Sequence, residues 1–269
     1  MRLNPATAID GYKVDHRRQY PDNTEVVFSN LTARTTRRDH THRVVFFGLQ
    51  YFIKSFLIKS WDDDFFKQPK EDVLRRFSRR INNYLGPNNV GTQHIANLHD
   101  LGYLPIKIMA LPEGSVYPLR VPCLVIQNTD ERFFWLTNYL ETILSTNVWG
   151  MCTSATTAHE YKKILTSYAL ETDGSTDFVN WQGHDFSFRG MFGAEAAAMS
   201  GAAHLLSFTG TDTIPAIDFL EDYYGANSDL ELIGGSVAAT EHSVMCAGGM
   251  ANELETFRRL IQDVYPAGI

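Results

Sequence analysis

Cysteine is scarce in this chain. Only Cys123, Cys152 and Cys246 occur among 269 residues, and no two of them form a Cys-x-x-Cys pair. The spacing therefore indicates neither a disulfide framework nor a cysteine zinc site. We expect the three thiols to be buried and inert.

Long apolar runs and a basic balance are also missing. No segment approaches the roughly 18 consecutive apolar residues of a membrane span, and residues 1–13 lack the apolar stretch of a secretory signal. Lys and Arg number 24 against 31 Asp and Glu, so the formal net charge is −7. Because phosphate backbones and anionic membranes attract basic proteins, broad nucleic-acid or membrane binding is not expected. The composition, 44% hydrophobic and 20% charged, predicts a folded, soluble, cytoplasmic protein.

Common catalytic signatures are absent as well. The sequence contains no Gly-x-Ser-x-Gly, no Gly-x-Gly-x-x-Gly and no P-loop. A metal site remains a competing interpretation, since five residues are legitimate ligands: His184, Asp185, Asp212, Glu241 and His242. However, helical ligands on one face lie three or four residues apart, and Glu241 and His242 are adjacent. We therefore assign no metal ligands.

Hydropathy divides the first half into helices and antiparallel strands. Apolar residues at three- and four-residue steps predict helices over 43–60, 70–85 and 134–149, the last connecting two domains. The helix over 70–85 has an inner stripe of Val73, Phe77, Ile81 and Tyr84, and a solvated face of Arg75, Arg76, Arg79 and Arg80. Strands are predicted over 104–111, 115–119 and 121–127, with a turn at 112–114.

After about residue 147 the pattern changes to helices alternating with short apolar strands. This alternation is typical of an α/β unit. It predicts a mixed α+β domain with an antiparallel sheet over 1–147 and a second, α/β domain over 148–269. Predicted helices span 155–170, 194–206, 214–224 and 251–264, and predicted strands span 186–188, 205–208 and 236–239.

Polar residues follow each of these late strands. Arg189, Asp212 and the pair Glu241-His242 all stand near strand ends, where loops of α/β folds converge on one site. Each also has a simpler explanation. Asp212 is a good N-cap for the following helix, His242 is a candidate for a turn hydrogen bond to backbone, and Arg189 has the nearby acids Asp185 and Glu195 as ion-pair partners.

Taken together, motifs along the whole chain resemble the nicotinamide phosphoribosyltransferases of the type II phosphoribosyltransferase family. The matching segments are, in order, Asp10-Gly11-Tyr12-Lys13, Gln19-Tyr20-Pro21-x-Asn23-Thr24, Gly48-Leu49-Gln50-Tyr51, Pro112-Glu113-Gly114, Asn128-Thr129-Asp130, residues 135–144, His184-Asp185-Phe186-Ser187-Phe188-Arg189-Gly190, Gly210-Thr211-Asp212-Thr213 and Glu241-His242-Ser243. The resemblance implies that residues 148–269 form the first half of an irregular type II α/β barrel.

The resemblance also implies a reaction. Nicotinamide attacks C1 of phosphoribosyl pyrophosphate, giving nicotinamide mononucleotide and pyrophosphate for NAD biosynthesis, with Mg²⁺ bound to the phosphoribosyl pyrophosphate and with coupled ATP hydrolysis. The partners implied are nicotinamide, phosphoribosyl pyrophosphate, ATP and a second copy of the chain in a homodimer with shared active sites.

Site roles follow from the same resemblance. Two aromatic residues sandwich the pyridine ring, one from each subunit, and two arginines reach phosphate. An aspartate accepts a hydrogen bond from the substrate amide, a histidine is phosphorylated by ATP, and a second aspartate shapes the pocket. The two aromatic residues are Phe186 and, from the second subunit, Tyr12, and the two arginines are Arg189 and Arg34. The aspartate at the substrate amide is Asp212, the phosphorylated histidine is His242, and the aspartate that shapes the pocket is Asp10.

The chain departs from the family in one respect. Family members continue beyond the segment that matches residues 265–269, with an Arg-x-Asp-Ser-Gly motif and a glycine-rich phosphate loop. The complementary C-terminal half is therefore expected either as a separate partner chain or as a part lost by truncation, and the chain alone is expected to be inactive. Two alternatives stay open: nicotinate phosphoribosyl transfer, and a non-catalytic pyridine-binding or interaction protein.

Overall fold

The strands of the first half pair antiparallel, as their alternating hydropathy predicts. A computed structural model describes residues 3–266. One sheet has the order β1-β5-β3, and a second pairs β2 with β4. The strand bounds are β1 Phe28–Thr32, β2 Arg43–Val45, β3 Ile106–Ala110, β4 Val116–Pro118 and β5 Pro122–Asn128. The three predicted strands are confirmed, but β3 and β4 do not pair with each other across the turn.

The helices carry most of the remaining chain. Their bounds are α1 Leu49–Phe52, α2 Lys70–Leu85, α3 Gln93–Leu101, α4 Trp135–Thr172, α5 Val179–Gln182, α6 Ala194–His204, α7 Ile214–Tyr224, α8 His242–Cys246 and α9 Glu253–Arg259. Wider π-helical turns at Ile53–Ser60 and Leu260–Val264 extend α1 and α9. No helix within residues 3–266 is long and apolar enough to cross a membrane.

The predicted helix over 43–60 is wrong at its start. Val44 and Val45 are β-branched, buried, and paired with β4 as part of β2, a setting that favours extended backbone. The helix begins only after Gly48, whose φ of 109° few other residues adopt. A side chain at Gly48 would also collide with Met151.

The helix over 70–85 is confirmed at both ends, with one correction to its inner stripe. Val73, Phe77 and Ile81 are buried and the four arginines are exposed. Tyr84 is 60% exposed, because its ring lies across the backbone at Gly11 on the surface; a methyl group on Gly11 would overlap the ring. The thiols also differ from expectation, since Cys123 and Cys152 are buried but Cys246 is exposed. Burial raises the pKa of Cys152 to about 12.

A single helix, α4, replaces two predicted ones. It runs unbroken over 38 residues, through residue 147, where the domain division stays a prediction. Most buried apolar residues of the described chain form two clusters, and residues of α4 belong to both. Leu144 and Val148 pack with the first sheet and helices α2 and α3, and Met151 and Ala155 pack with α6 and α7.

Glu113 ties the first cluster to the second. Its carboxylate accepts hydrogen bonds from the backbone amides of Gly48 at 2.6 Å and Gln50 at 2.5 Å, at the start of α1. The same carboxylate accepts from the Tyr224 hydroxyl at the end of α7, at 2.9 Å. An anion at a helix N-terminus is stabilising because the unpaired amides there carry partial positive charge.

Replacing this carboxylate is expected to destabilise the fold. Glu113→Ala leaves two helix-terminal amides and a half-buried phenol without a partner, so the free energy of unfolding in urea should fall by about 2 to 4 kcal/mol. Glu131→Ala, at an exposed position, is the matched control and should change it by less than about 0.5 kcal/mol. Equal losses in the two variants would contradict this role for Glu113.

His94 is a buried imidazole without a hydrogen-bond partner. It lies on α3, 7% exposed, between the rings of Phe77 and Trp135, with centroids at 5.7 and 5.1 Å. Neither ring nitrogen has a hydrogen-bond partner among residues 3–266. Burial, and then the charge of Arg17, lowers the pKa of His94 from 6.5 to about 3. The folded protein therefore holds His94 neutral.

Acid should destabilise the protein through His94. As pH falls below about 6.5, His94 binds a proton in the unfolded chain but not in the folded one. The free energy of unfolding should therefore drop by up to about 5 kcal/mol by pH 3. Urea unfolding at stepped pH measures this slope. His94→Leu should flatten it, whereas the control His40→Gln, at an exposed position, should leave it unchanged. A slope that persists in His94→Leu would assign it to other groups.

The second half contains short parallel strands between its helices. Strands β6 His184–Asp185 and β7 Gly210–Thr211 pair in parallel, and Gly235 forms one further parallel bridge to Gly210. The predicted strands at 186–188, 205–208 and 236–239 are each displaced from these positions. The late helices are confirmed within a few residues. The end of the predicted second domain, residues 267–269, lies outside the described residues.

Candidate active site

The ends of β6 and β7 bring Asp212 and His184 together. The Asp212 amide donates to the Asp185 carbonyl at 2.9 Å, which continues the parallel pairing by one residue. Asp212 Oδ1 then lies 2.8 Å from His184 Nε2 and 3.0 Å from the Ser236 hydroxyl. Within residues 3–266 the other carboxylate oxygen, Oδ2, has no hydrogen-bond partner. One oxygen is therefore held by the protein and the other faces solvent.

Asp212 is not the cap of the following helix. The N-cap residue of α7 is Thr213, which forms no side-chain cap bond. The hydrogen bond from His184 lowers the pKa of Asp212, with smaller contributions from Ser236 and from the charge of Arg189, while partial burial opposes them. The carboxylate is consequently an anion at neutral pH and a hydrogen-bond acceptor.

Phe186 supplies an exposed aromatic face next to this carboxylate. Its ring is 51% exposed and lies 4.9 Å from the His184 ring. The Arg189 guanidinium carbon lies 5.9 Å from the Phe186 ring centroid. Arg189 forms no ion pair among the described residues, because Glu195 bonds to Tyr51 and Asp185 is satisfied by hydroxyls. A flat apolar ring, a carboxylate and a free guanidinium thus share one surface.

A buried carboxylate supports the loop that carries Phe186 and Arg189. Asp185 accepts hydrogen bonds from the Ser187 hydroxyl at 3.0 Å and the Thr211 hydroxyl at 3.3 Å. Glycines make room for this arrangement. A methyl group on Gly201 of α6 would lie 2.8 Å from Asp185 Oδ2, and one on Gly210 would lie 2.6 Å from His184 Nδ1. The close packing orients both His184 and the loop.

Comparisons with known proteins agree with the motifs. A family model for the N-terminal domain of nicotinamide phosphoribosyltransferase matches residues 4–108, and one for the nicotinate phosphoribosyltransferase family matches residues 181–264. The nicotinamide phosphoribosyltransferase of Acinetobacter baylyi is 55% identical over 273 residues, covering 100% of this chain and 54% of that protein. That of Mycoplasma genitalium is 34% identical over 287 residues, covering 97% and 57%.

The chain is homologous to the nicotinamide phosphoribosyltransferases. It spans about half the length of the relatives it matches. In fold it resembles human nicotinic acid phosphoribosyltransferase, with a TM-score of 0.60 at 16% identity, covering 89% of this chain and 40% of that one. It also resembles the nicotinate-nucleotide pyrophosphorylase of Pyrococcus furiosus, with a TM-score of 0.55 at 14% identity, covering 91% and 44%. The predicted phosphoribosyltransferase fold is confirmed.

The first nicotinamide phosphoribosyltransferase motif, residues 10–13, packs against α4. Lys13 is 3% exposed; its ammonium donates to the Asn138 carbonyl at 2.8 Å and pairs with Glu141. Tyr12 points away from this contact, 64% exposed, with its ring 5.2 Å from that of His16. Lys13 therefore anchors the motif and leaves the Tyr12 ring open to a ligand or a second chain.

Four predicted site residues lie apart from the Asp212 cluster. Asp10 precedes the Tyr12 turn, Arg34 is exposed after β1, and His242 begins the short exposed helix α8. In the described part of the chain, no hydrogen bond, ion pair or ring contact joins Asp10, Tyr12, Arg34 or His242 to Asp212, Phe186 or Arg189. Their roles stay predictions.

Sequence reasoning missed two members of the cluster. The sequence indicates His184 as a possible metal ligand and as part of the motif at 184–190, without a role beside Asp212, and it indicates Ser236 only as part of a predicted strand. A signal for His184 exists, since it lies two residues before Phe186 and next to Asp185 in a short polar strand. Within residues 3–266 no group of three or more His, Cys, Asp or Glu residues is arranged to hold a metal ion.

Proposed function

We propose that this chain takes part in phosphoribosyl transfer to nicotinamide, as a cytoplasmic protein that supplies the pyridine-binding part of the site. The observation that supports this most is the Asp212 carboxylate, whose Oδ1 is held by His184 and Ser236 while Oδ2 is unpaired. It lies next to the exposed Phe186 ring. A carboxamide NH₂ donates hydrogen bonds and its pyridine ring stacks, so nicotinamide complements both groups.

Each residue then has a specific task. Phe186 stacks on the pyridine ring, and Asp212 accepts from the amide nitrogen, which orients the ring nitrogen toward C1 of phosphoribosyl pyrophosphate. The bond from C1 to pyrophosphate breaks as the bond from nitrogen to C1 forms. Arg189 is a permanent cation with a planar fork of donors, suited to the ribose phosphate.

The second face of the pyridine ring is assigned to another copy of the chain. In the proposed homodimer, Tyr12 of the second copy stacks opposite Phe186, Asp10 shapes its loop, and Arg34 reaches phosphoryl groups. The exposed Tyr12 ring and the exposed Arg34 support this arrangement. Mg²⁺ would enter bound to phosphoribosyl pyrophosphate.

Substrate choice tests the assignment of Asp212. An ionised Asp212 facing the carboxylate of nicotinate is repulsive, so the assembled protein should prefer nicotinamide by about 100-fold or more in kcat/KM. Asp212→Asn should reduce this preference about tenfold or more, because the amide side chain tolerates the acid. The assay uses this chain combined with the C-terminal part of the Acinetobacter baylyi relative, with both substrates in competition.

The control variant is Asp229→Asn, at an exposed position, which should keep the full preference. Equal use of nicotinate and nicotinamide by the unmutated protein would contradict the assignment. It would favour the second candidate, nicotinate phosphoribosyl transfer, which has its own support because the nicotinate family model matches residues 181–264. Binding of nicotinamide without turnover in the assembled protein would favour the non-catalytic alternative.

A further inference from the structure

Two segments outside the Asp212 cluster form a strongly basic surface. Residues 33–43 and 115–122 contain five arginines, Arg34, Arg37, Arg38, Arg43 and Arg120, and one acid, Asp39. Their formal charge is 5 − 1 = +4, in a chain whose total is −7. The remaining residues therefore sum to −7 − 4 = −11. We call these two segments the arginine surface.

Backbone pairing holds the two segments side by side. Strand β2 pairs with β4, and beyond the strands the Leu119 amide donates to the His42 carbonyl at 3.1 Å. The Arg120 amide donates to the Ala33 carbonyl at 2.8 Å, with Arg120 in the left-handed region at φ 65°. The arginines are thus gathered by the fold as well as by the sequence.

These arginines lack acidic partners. Elsewhere in the chain Arg18, Arg75 and Arg132 each pair with an aspartate. No arginine of the arginine surface forms an ion pair with any residue in 3–266. Guanidinium groups clustered without counter-charges raise the local positive potential, and they attract phosphate more strongly than isolated ones do.

A cavity of about 470 Å³ opens onto this surface. Arg37 and Arg38 line it together with Thr157 and Trp149 of α4. The Thr157 hydroxyl has no hydrogen-bond partner among the described residues, and the hydroxyl of Thr41, also in the wall, is buried and unpaired. Trp149 is 39% exposed and contacts no other aromatic ring of the described chain.

From this combination we propose that the cavity is a binding site for a nucleoside diphosphate. The volume suits a mononucleotide, since small-molecule sites span roughly 300 to 1,000 Å³. Arg37 and Arg38 bind the diphosphate, Thr157 bonds to the sugar or phosphate, and the Trp149 indole stacks on the base. None of Asp212, His184, Phe186 or Arg34 lines this cavity. Its wall residues Thr153 and Thr157 also line the neighbouring cavity that contains His184, so the test must separate nucleotide bound here from nucleotide bound at the Asp212 cluster.

Calorimetric titration of the chain with ADP tests the site. The double variant Arg37→Ala/Arg38→Ala should weaken ADP and inorganic pyrophosphate alike, by about tenfold or more, because both ligands use the arginines. Trp149→Ala should weaken ADP by about threefold to tenfold and leave pyrophosphate unchanged, because only ADP carries a base. The matched control is Arg79→Ala/Arg80→Ala on the solvated face of α2, which should bind as the parent chain does. Melting curves confirm that each variant is folded.

Three outcomes would overturn the proposal. The first is absence of measurable ADP binding by the parent chain. The second is equal weakening by the arginine pair on α2, which would indicate unspecific attraction between charges. The third is loss of ADP binding in Asp212→Asn together with unchanged binding in Arg37→Ala/Arg38→Ala, which would place the nucleotide in the catalytic site. That last result would leave the proposed transferase function intact.

Discussion

Addition of the C-terminal portion of the Acinetobacter baylyi relative to this chain is expected to raise nicotinamide mononucleotide production from below detection to steady turnover. Catalysis of phosphoribosyl transfer depends on preorganised charge around the departing pyrophosphate. In the proposed function this chain supplies the pyridine-binding residues and two of the arginines that reach phosphate, and the added portion supplies the remaining charged groups. The measurement is product formation by the chain alone, by the added portion alone, and by the mixture.

The surface near the end of the described chain supports this expectation. Met250 is 97% exposed and Leu254 71%, and apolar side chains at Leu230, Leu232, Val237 and Ile261 are more than half exposed. Large exposed apolar side chains in such number favour an interaction surface in this part of the chain. Among residues 3–266 the parallel pair β6-β7 is extended only by the bridge at Gly235, which leaves strand edges available for pairing.

Charged substitutions give the matched comparison. Leu254→Asp combined with Ile261→Asp should abolish both association with the added portion and turnover, while Tyr168→Asp, an exposed position on α4, should preserve both. Steady turnover by the purified chain without any added portion would show that the prediction is wrong.

Replacement of His242 should remove ATP hydrolysis from the assembled protein. We propose that ATP phosphorylates this histidine, because a neutral imidazole nitrogen is a competent nucleophile near pH 7. His242 begins helix α8 after Glu241, whose side chain bonds to Ser243. His242→Ala should lower ATP turnover by about 100-fold or more and leave a slower transferase reaction, measured by separate phosphate and nicotinamide mononucleotide assays.

Labelling distinguishes this role from a structural one. Incubation with γ-labelled ATP should place phosphate on His242 in the parent protein and none in His242→Ala. His40→Ala, an exposed histidine outside α8, should label normally. Undiminished ATP hydrolysis in His242→Ala, or label on another residue, would refute the assignment.

Helices with a clear apolar stripe were predictable from sequence. The bounds of α2 and α7 agree with the prediction at both ends, since periodic burial, Gly86 and Gly225 act within the segment itself. The fate of residues 43–45 was not predictable in this way. Their strand partner β4 lies some 70 residues away in sequence, and local periodicity carries no record of it.

The short parallel strands failed for a related reason. Strands β6 and β7 have two residues each, too few for alternation to appear. Their positions depend on pairing between distant segments, and on glycines whose lack of a side chain leaves room for the His184 ring. The long helix α4 was divided in two because its central residues, buried by both clusters, lack a single apolar face.

The site was partly predictable. Asp212, Phe186 and Arg189 meet as their positions after successive strands suggest, but the hydrogen bonds that orient Asp212 come from His184 and Ser236. Those contacts depend on how β6, β7 and the bridge at Gly235 are aligned with one another. The amino-acid composition does not specify that alignment. The resemblance alone assigns roles to Tyr12, Asp10, Arg34 and His242. The roles proposed for Tyr12 and Arg34 also require a second copy of the chain.

The membership of helix α4 in both apolar clusters has a consequence for how the protein loses its structure. Leu144 and Val148 belong to one cluster, and Met151 and Ala155 to the other, within four turns of one helix. Melting either cluster removes the packing that keeps this helix wound, and the unwound helix deprives the other cluster of its wall. We therefore expect the two clusters to unfold together as a single cooperative unit, so that a substitution that destabilises one cluster also destabilises the other.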